Sequence, residues 1–243
     1  LFTIVAMGCS SSSNNDKKLV VAVAASGQFA FKELAEEFSE EYKIEVDVIT
    51  GSSGKLTTQI LNGAPYDVFV SANMYYTEVL EQSQKTYQSP FVYSYGVPLI
   101  WTMNPQLKLN SIANCLKSSR VQRIAIANPQ NAPYGEMAIS YMKQLGIYEA
   151  IEKKLVFGES ISQVNEYTLN KTVDVGITSK SVISSPKLKG KGYYVELDET
   201  FYIEQGMALI DNGTSNDIKK QFKEFVQSEK GKKILKSFGY VEK

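Results

Sequence analysis

Two short turns carry serines at the points where a predicted strand passes into a predicted amphipathic helix. The first is Ala-Ala-Ser-Gly at residues 24–27, which contains Ser26, and the second is Gly-Ser-Ser-Gly at residues 51–54, which contains Ser53. A helix N-terminus presents unpaired backbone N–H groups and a partial positive charge, and a serine hydroxyl adds a neutral donor. Two such turns facing each other predict a pocket of donors without a cationic side chain. Such a pocket suits a small, fully deprotonated oxyanion.

Each serine also has a purely structural interpretation, because serine is a preferred residue at a helix N-cap. For either turn taken alone, capping is the simpler explanation. The recurrence of the same arrangement at two equivalent strand-to-helix junctions favours a binding role.

The composition narrows the classes of function. The chain has 243 residues, enough for one large domain or two modest ones, and its hydrophobic content of 43% is that of a globular protein with a sizeable core. Lysine plus arginine and aspartate plus glutamate balance at 26 each, so the charge gives no indication of a nucleic-acid partner. The chain has no histidine, which excludes imidazole metal ligands and every serine–histidine–aspartate hydrolase.

Short β-rich runs alternate with helical patterns after residue 18. Apolar spacing predicts a helix over residues 28–42 and another that begins near Pro133 and closes at Gly146. The β-rich runs are residues 19–24, 44–50, 67–70, 91–103, 123–127, 174–178, 192–197 and 203–210. The alternation predicts an α/β fold with mostly parallel sheets. In such sheets ligands bind beyond the carboxyl ends of the strands, where the two serine turns lie.

Ser52 and Lys55 raise an enzymatic alternative. Their Ser-x-x-Lys spacing is a nucleophile pattern of penicillin-recognising enzymes, but it has only two fixed residues, and no Lys-Thr-Gly motif occurs in the chain. A phosphate-binding P-loop also fails, because Ile49 and Leu56 stand where it needs glycine and serine or threonine. We therefore expect that the protein is not an enzyme, with a serine–lysine hydrolase as the alternative from a different class.

The first residues are typical of an export signal. Residues 1–9 are hydrophobic and end in Gly8-Cys9, and a polar stretch rich in serine and asparagine follows them to residue 18. This arrangement resembles a bacterial lipoprotein, with Gly8-Cys9 as the processing site and Cys9 as the lipidated residue. The alternative is a signal peptide that merely contains a cysteine. Once Cys9 carries a lipid, Cys115 has no partner, so no disulfide is expected.

Residues 62–72 carry the most specific family resemblance. They read Asn-Gly-Ala-Pro-Tyr-Asp-Val-Phe-Val-Ser-Ala, and with both serine turns they are similar to the molybdate-binding proteins of bacterial ABC importers. Further matches are residues 123–126 (Arg-Ile-Ala-Ile), 133–135 (Pro-Tyr-Gly) and 174–177 (Asp-Val-Gly-Ile), and the similarity covers roughly residues 19–240. The resemblance implies a type II periplasmic-binding-protein fold. Two α/β domains, each a mixed, mostly parallel sheet flanked by helices, would hold the ligand in the cleft between them.

The resemblance also implies how the chain is divided between these domains. Residues 1–18 would form the signal remnant and tether, residues 19–95 plus 200–243 the first domain, and residues 96–199 the second domain. The chain would cross between the domains near residues 91–97 and again near residues 191–201.

Five residues are implied as contacts to the oxyanion. Ser26 and Ser53 would donate through hydroxyl and backbone N–H, and Tyr134 and Ile161 would donate backbone N–H groups from the second domain. Ser179 stands where the family has a tyrosine hydroxyl, and the phenol of Tyr134 is the alternative donor. No side chain would bind the metal directly, because molybdenum is held as its oxyanion.

The implied function is capture of molybdate, and of tungstate with it, as the substrate-binding component of an ABC importer. The expected partner is a permease in the membrane, the expected location is the bacterial cell envelope, and the expected state is a monomer without a cofactor. A relative selective for tungstate or sulfate is the alternative. Hydrogen phosphate carries a proton that a site made only of donors leaves unpaired. Sulfate is not excluded by its charge, so a molybdate site would have to exclude it by its smaller size.

The lipid anchor is tested by changing Cys9 to serine. Because the thioether link needs the thiol, Cys9→Ser is expected to carry no lipid and to remain unprocessed or be released from the membrane. Membrane fractionation and electrophoretic migration measure both outcomes. A variant that fractionates and migrates like the parent would show that Cys9 is not an anchor.

Overall fold

The computed structural model describes residues 18–243, which form two five-stranded sheets flanked by helices. Residues 1–17, which include the expected lipidation site Cys9, lie outside the described residues. Within residues 18–243, no helix combines the length and the apolar content needed to cross a bilayer.

The strands and helices mostly alternate along the chain. In chain order the strands are β1 (Lys18–Ala24), β2 (Glu45–Gly51), β3 (Val68–Ser71), β4 (Phe91–Gly96), β5 (Pro98–Thr102), β6 (Ile124–Ala127), β7 (Leu155–Gly158), β8 (Val175–Ser179), β9 (Tyr193–Glu196) and β10 (Ile203–Leu209). The α-helices are α1 (Gln28–Tyr42), α2 (Ser53–Leu61), α3 (Met74–Gln82), α4 (Ile112–Lys117), α5 (Pro133–Gln144), α6 (Tyr148–Ile151), α7 (Ile161–Leu169), α8 (Lys180–Ile183), α9 (Asn216–Gln227) and α10 (Glu229–Ser237).

Both sheets have the same mixed pattern. The first sheet has the order β2-β1-β3-β10-β4, in which β1 runs parallel to β2 and β3 while β10 runs antiparallel to β3 and β4. The second sheet has the order β7-β6-β8-β5-β9, in which β6 runs parallel to β7 and β8 while β5 runs antiparallel to β8 and β9. The predicted α/β class with mixed sheets is confirmed, and two of the four pairings in each sheet are parallel.

The β-rich run at residues 91–103 is two strands that belong to different sheets. β4 ends at Gly96, Val97 intervenes, and β5 begins at Pro98 in the second sheet. The chain returns to the first sheet between β9 and β10, across a short 3₁₀ turn at Glu199–Phe201. Two chain segments therefore link the sheets.

Packing under the first sheet fixes where α1 begins. Phe31, Leu34 and Phe38 lie on one face of α1 and are fully buried, as the apolar spacing predicts. The Phe38 ring packs edge-on against Phe222 of α9 with centroids 5.2 Å apart. Burial of one such side chain contributes about 1.5–3 kcal/mol, so α1 and the turn before it are held firmly against the sheet.

Packing on the second sheet fixes the start of α5 in the same way. Ile124 and Ile126 of β6 belong to one buried cluster with Tyr141 and Met142 of α5. The first turn of α5 approaches so closely that a Cβ added at Gly135 would lie 2.0 Å from the carbonyl oxygen of Ala127. Only glycine permits this approach of helix to strand.

The close approach at Gly135 predicts the cost of a single methyl group. In Gly135→Ala the new Cβ would collide with the carbonyl oxygen of Ala127, so helix and strand must move apart. We expect the free energy of unfolding to fall by about 1–3 kcal/mol, the usual cost of overpacking. Urea denaturation measures the change. Ser140→Ala, at an exposed position of the same helix, is the control and is expected to change stability by less than about 0.5 kcal/mol. Equal stability of the two variants would contradict the packing.

Candidate functional site

Four helical segments begin at the carboxyl ends of adjacent parallel strands. In the first sheet, Ala24 at the end of β1 lies opposite Gly51 at the end of β2. A 3₁₀ turn at Ala25–Gly27 follows β1, and α2 follows β2. In the second sheet, Ala127 at the end of β6 lies opposite Gly158 at the end of β7, and α5 and α7 follow these strands. Each sheet therefore presents two helix starts side by side.

The four helix starts surround one small cavity. None of its lining residues carries a charge, and no carboxylate is among them. The lining residues are Ala24, Ala25, Ser26, Ser52, Ser53, Ala72, Ala132, Pro133, Tyr134, Ser160 and Ile161. The electrostatic character of the cavity is set by backbone N–H groups and hydroxyls at helix N-termini, which favour an anion.

The helix starts at this cavity have no side-chain caps. Ser52 and Ser160 occupy the N-cap positions of α2 and α7, yet neither hydroxyl bonds the helix that it precedes. The 3₁₀ turn that contains Ser26 is also uncapped. In contrast, Ser215 and Ser228 cap α9 and α10. The structure therefore does not support the interpretation of the two serine turns as helix caps.

Ser26 and Ser53 are both buried, and their hydroxyls differ in their existing bonds. Ser26 is 3% exposed, and its Oγ has no hydrogen-bond partner among residues 18–243. The Oγ of Ser53 accepts a hydrogen bond of 3.0 Å from the N–H of Ala72, so its own proton stays available. A buried hydroxyl without a partner is destabilising by about 1–3 kcal/mol. A ligand that accepts from both serines would remove that penalty.

Tyr134 and Ile161 lie on the other side of the cavity, at the starts of α5 and α7. They are the second residue of α5 and the first of α7, so their N–H groups have no acceptor within the helix. The Tyr134 phenol is buried without a partner among the described residues, and burial raises its pKa well above the ordinary value. The phenol is therefore neutral and retains its proton at physiological pH. It packs against Gly96 at the end of β4, where an added Cβ would lie 2.3 Å from the phenol oxygen.

The structure brings four of the five expected contact residues to the cavity, and Ser179 is not among the lining residues. Ser179 ends β8, is fully buried, and its Oγ lies 2.8 Å from the Oγ of Ser181. Ser52 and Ser160 line the cavity and were not expected as contacts. A serine at an N-cap position is common in any helix, so the sequence offers no signal that separates these two from ordinary caps.

The serine–lysine alternative lacks the geometry that it needs. A general base must lie within hydrogen-bond reach of the nucleophile. Lys55 instead forms an ion pair with Glu159, and the Oγ of Ser52 has no partner among the described residues. Within the same part of the chain, no cluster of three histidine, cysteine, aspartate or glutamate side chains could hold a bare metal ion. The donors fit an anion instead.

Polar contacts join the two sides of the cavity at its rim. The N–H of Gly54 donates to the carbonyl of Asn131 at 2.9 Å, and the Nε2 of Gln28 donates to the Oγ of Ser162 at 3.0 Å. Gly54 and Asn131 approach so closely that an added Cβ at Gly54 would lie 2.8 Å from the Asn131 Cβ. The two sides therefore meet in a closed arrangement around the cavity.

Comparison with known families identifies the fold and the class of protein. A family model described as bacterial extracellular solute-binding protein matches residues 19–241. The structure superposes on a periplasmic molybdate-binding protein from Azotobacter vinelandii with a TM-score of 0.86 and 28% identity, covering 93% of this chain and 99% of that one. The resemblance found in the sequence and the periplasmic-binding-protein fold are both confirmed.

Two curated relatives are similar over nearly their whole length. The molybdate-binding protein ModA of Rhodobacter capsulatus is 32% identical over 225 residues, 92% of this chain and 88% of that protein. YvgL of Bacillus subtilis, named as an ABC transporter substrate-binding lipoprotein, is 26% identical over 248 residues, 99% of this chain and 94% of that protein.

Proposed function

The chain belongs to the family of bacterial extracellular solute-binding proteins, and from that membership we propose that it captures molybdate for an ABC importer. The observation that carries the choice of ligand is the uncharged cavity at four uncapped helix starts, with the unpartnered hydroxyl of Ser26 in its wall. The names of the Rhodobacter and Azotobacter relatives support the same ligand.

Four residues are proposed as donors to the oxyanion. Ser26 and Ser53 give hydroxyl and N–H donors from one side, and Tyr134 and Ile161 give N–H donors from the other. Each hydrogen bond to a charged group contributes about 1.5–3 kcal/mol. About six such bonds, less an association cost of about 4–15 kcal/mol, reach sub-micromolar affinity when the site is preorganised.

The cavity lining also supports a choice among anions. Hydrogen phosphate would bury its proton beside residues that include no carboxylate acceptor, and an unpaired buried donor costs about 1–3 kcal/mol. Sulfate has shorter bonds than molybdate, so fewer donors reach it at once. Tungstate has nearly the size and the charge of molybdate, and we propose that it binds as well.

The ligand is proposed to bind between two domains that close on it. Residues 19–95 plus 200–243 form one domain and residues 96–199 the other, with crossings near residues 91–97 and 191–201. The change of sheet between β4 and β5, and again between β9 and β10, supports this division. An anion that contacts both sides stabilises the closed form by its differential affinity for that form.

The remaining parts of the proposal concern location and partner. The closed, loaded protein delivers its ligand as a monomer to the permease of an ABC transporter at the outer face of the cytoplasmic membrane. Cys9 anchors it there through a lipid, which the name of the Bacillus relative supports. The chain acts as a binding protein rather than an enzyme, without a cofactor.

The two serines are expected to behave differently when each is changed to alanine. Either change removes a charge-assisted bond worth about 1.5–3 kcal/mol, so molybdate affinity falls about tenfold to more than a hundredfold. Ser26→Ala leaves no partner unpaired and removes a buried hydroxyl that has none, so the stability of the free protein is expected to rise, by up to about 1–3 kcal/mol. Ser53→Ala also leaves the buried N–H of Ala72 without its acceptor, so it lowers the free protein's stability by about 1–3 kcal/mol.

Calorimetric titration and thermal unfolding measure these two effects separately. Ser185→Ala is the matched control, because Ser185 is fully buried with an unpartnered hydroxyl but is not a lining residue. The control is expected to bind molybdate as the parent does. Unchanged affinity in both Ser26→Ala and Ser53→Ala would overturn the assignment of the donors.

Closure of the two sides around the cavity is tested by adding a methyl group at Gly54, which lies at the rim. Alanine suits the first turn of α2, but its Cβ would collide with Asn131 only when the two sides meet. We expect Gly54→Ala to fold normally and to bind molybdate about tenfold or more weakly, since overpacking costs about 1–3 kcal/mol. Small-angle scattering should show a radius of gyration that shrinks with molybdate in the parent and shrinks less in the variant.

Thr58→Ala, at an exposed position of the same helix, is the control for this measurement. It is expected to close and bind like the parent. If Gly54→Ala retains the parent's affinity and its full decrease in radius of gyration, the cavity does not require closure at the rim.

A further inference from the structure

Ser181 forms the most deeply buried polar bond between the two sides of the cleft. Its Oγ donates a hydrogen bond of 2.6 Å to the backbone carbonyl of Ser26. Ser181 lies in α8, directly after β8 of the second sheet, whereas Ser26 follows β1 of the first sheet. The two residues are 4% and 3% exposed. This bond therefore joins the two sides deep in the cleft in the arrangement that the structure has.

The direction of each proton in this region follows from the acceptors. A carbonyl oxygen has no proton to give, so Ser181 must be the donor to Ser26. Because a hydroxyl has a single proton, the 2.8 Å contact between Ser179 and Ser181 must then have Ser179 as its donor. The result is a directed chain of hydrogen bonds from Ser179 to Ser181 to the carbonyl of Ser26.

This chain leaves Ser179 unable to act as a donor to the oxyanion. Its only proton is used by Ser181, and its side chain is not among the groups that line the cavity. The same chain leaves the hydroxyl of Ser26 free, because Ser181 bonds the carbonyl and not the Oγ. Ser181 thus bonds the backbone of the turn, and Ser26 itself lines the cavity.

We propose that Ser181 is a positioning residue that stabilises the closed form and the Ser26 turn without contacting the oxyanion. The inference rests on the proposed function, since closure around an anion gives the bond its role. A hydrogen bond made only in the closed form raises the affinity for any ligand that the closed form binds. For a neutral bond the expected effect is about two- to tenfold in affinity.

Three single variants separate this role from a direct contact. Ser181→Ala is expected to weaken molybdate binding about two- to tenfold and to increase the radius of gyration at equal saturation. Ser181→Thr keeps the hydroxyl and is expected to restore the parent's affinity. Ser179→Ala is expected to weaken binding less than Ser181→Ala, because it removes only the donor behind Ser181. Ser185→Ala, two residues past α8 with a buried, unpartnered hydroxyl, is the control.

Calorimetry with molybdate on all five proteins distinguishes the outcomes. Loss of affinity in Ser181→Ala, with recovery in Ser181→Thr, supports the proposal. If Ser179→Ala loses tenfold or more while Ser181→Ala binds as the parent does, Ser179 is itself a ligand contact and the proposal is wrong. If the parent binds molybdate and Ser181→Ala matches it, the inference fails while the proposed function stands. A parent that does not bind molybdate overturns the proposed function, and the inference with it.

Discussion

The structure depends on unsatisfied backbone N–H groups brought together from four helix starts. Each sheet places two parallel strands side by side, β1 with β2 and β6 with β7, and each of these strands leads directly into a helical turn. Because the strands end level with one another, the helix starts that follow them line the same cavity. The rest of the fold, from the buried face of α1 to the close contact at Gly135, holds these four starts in position.

Neutral donors are the proposed source of selectivity in this cavity. A lysine or arginine in the cavity would attract any anion. Hydroxyl and N–H donors, in contrast, bind tightly only an anion that offers an acceptor to each of them. The absence of a carboxylate from the lining means that a protonated anion finds no charged acceptor for its proton. The unpartnered hydroxyl of Ser26 and the neutral phenol of Tyr134 are both uncharged donors, since both keep their protons in a buried site.

Local patterns predicted the elements that carry strong periodicity. The helix expected over residues 28–42 coincides with α1, because its apolar positions recur on one face. The short helices α4 and α6 were not expected, since four to six residues give too few turns for a periodic signal. The β-rich run at residues 91–103 gave no indication that its halves belong to different sheets. That partition is set by long-range pairing with β10 and β8.

The site shows the same division between local and long-range information. Ser26 and Ser53 were found because each lies at a strand-to-helix junction, a feature visible in sequence. The direction of the bond between Ser179 and Ser181 was not predictable from the sequence. It depends on the bond from Ser181 to Ser26, which joins residues 155 positions apart. The direction of each hydrogen bond in a buried chain of hydroxyls depends on which acceptors lie nearby. Only the folded structure shows which acceptors those are.

An uncharged, donor-lined cavity is expected to select a fully deprotonated tetrahedral oxyanion. Calorimetric titration of the parent protein at neutral pH with molybdate, tungstate, sulfate and phosphate tests it most directly. We expect sub-micromolar binding of molybdate and tungstate. Phosphate is expected to bind more weakly by at least about ten- to a hundredfold, the effect of one unpaired buried proton. Phosphate binding as tight as molybdate binding would contradict it.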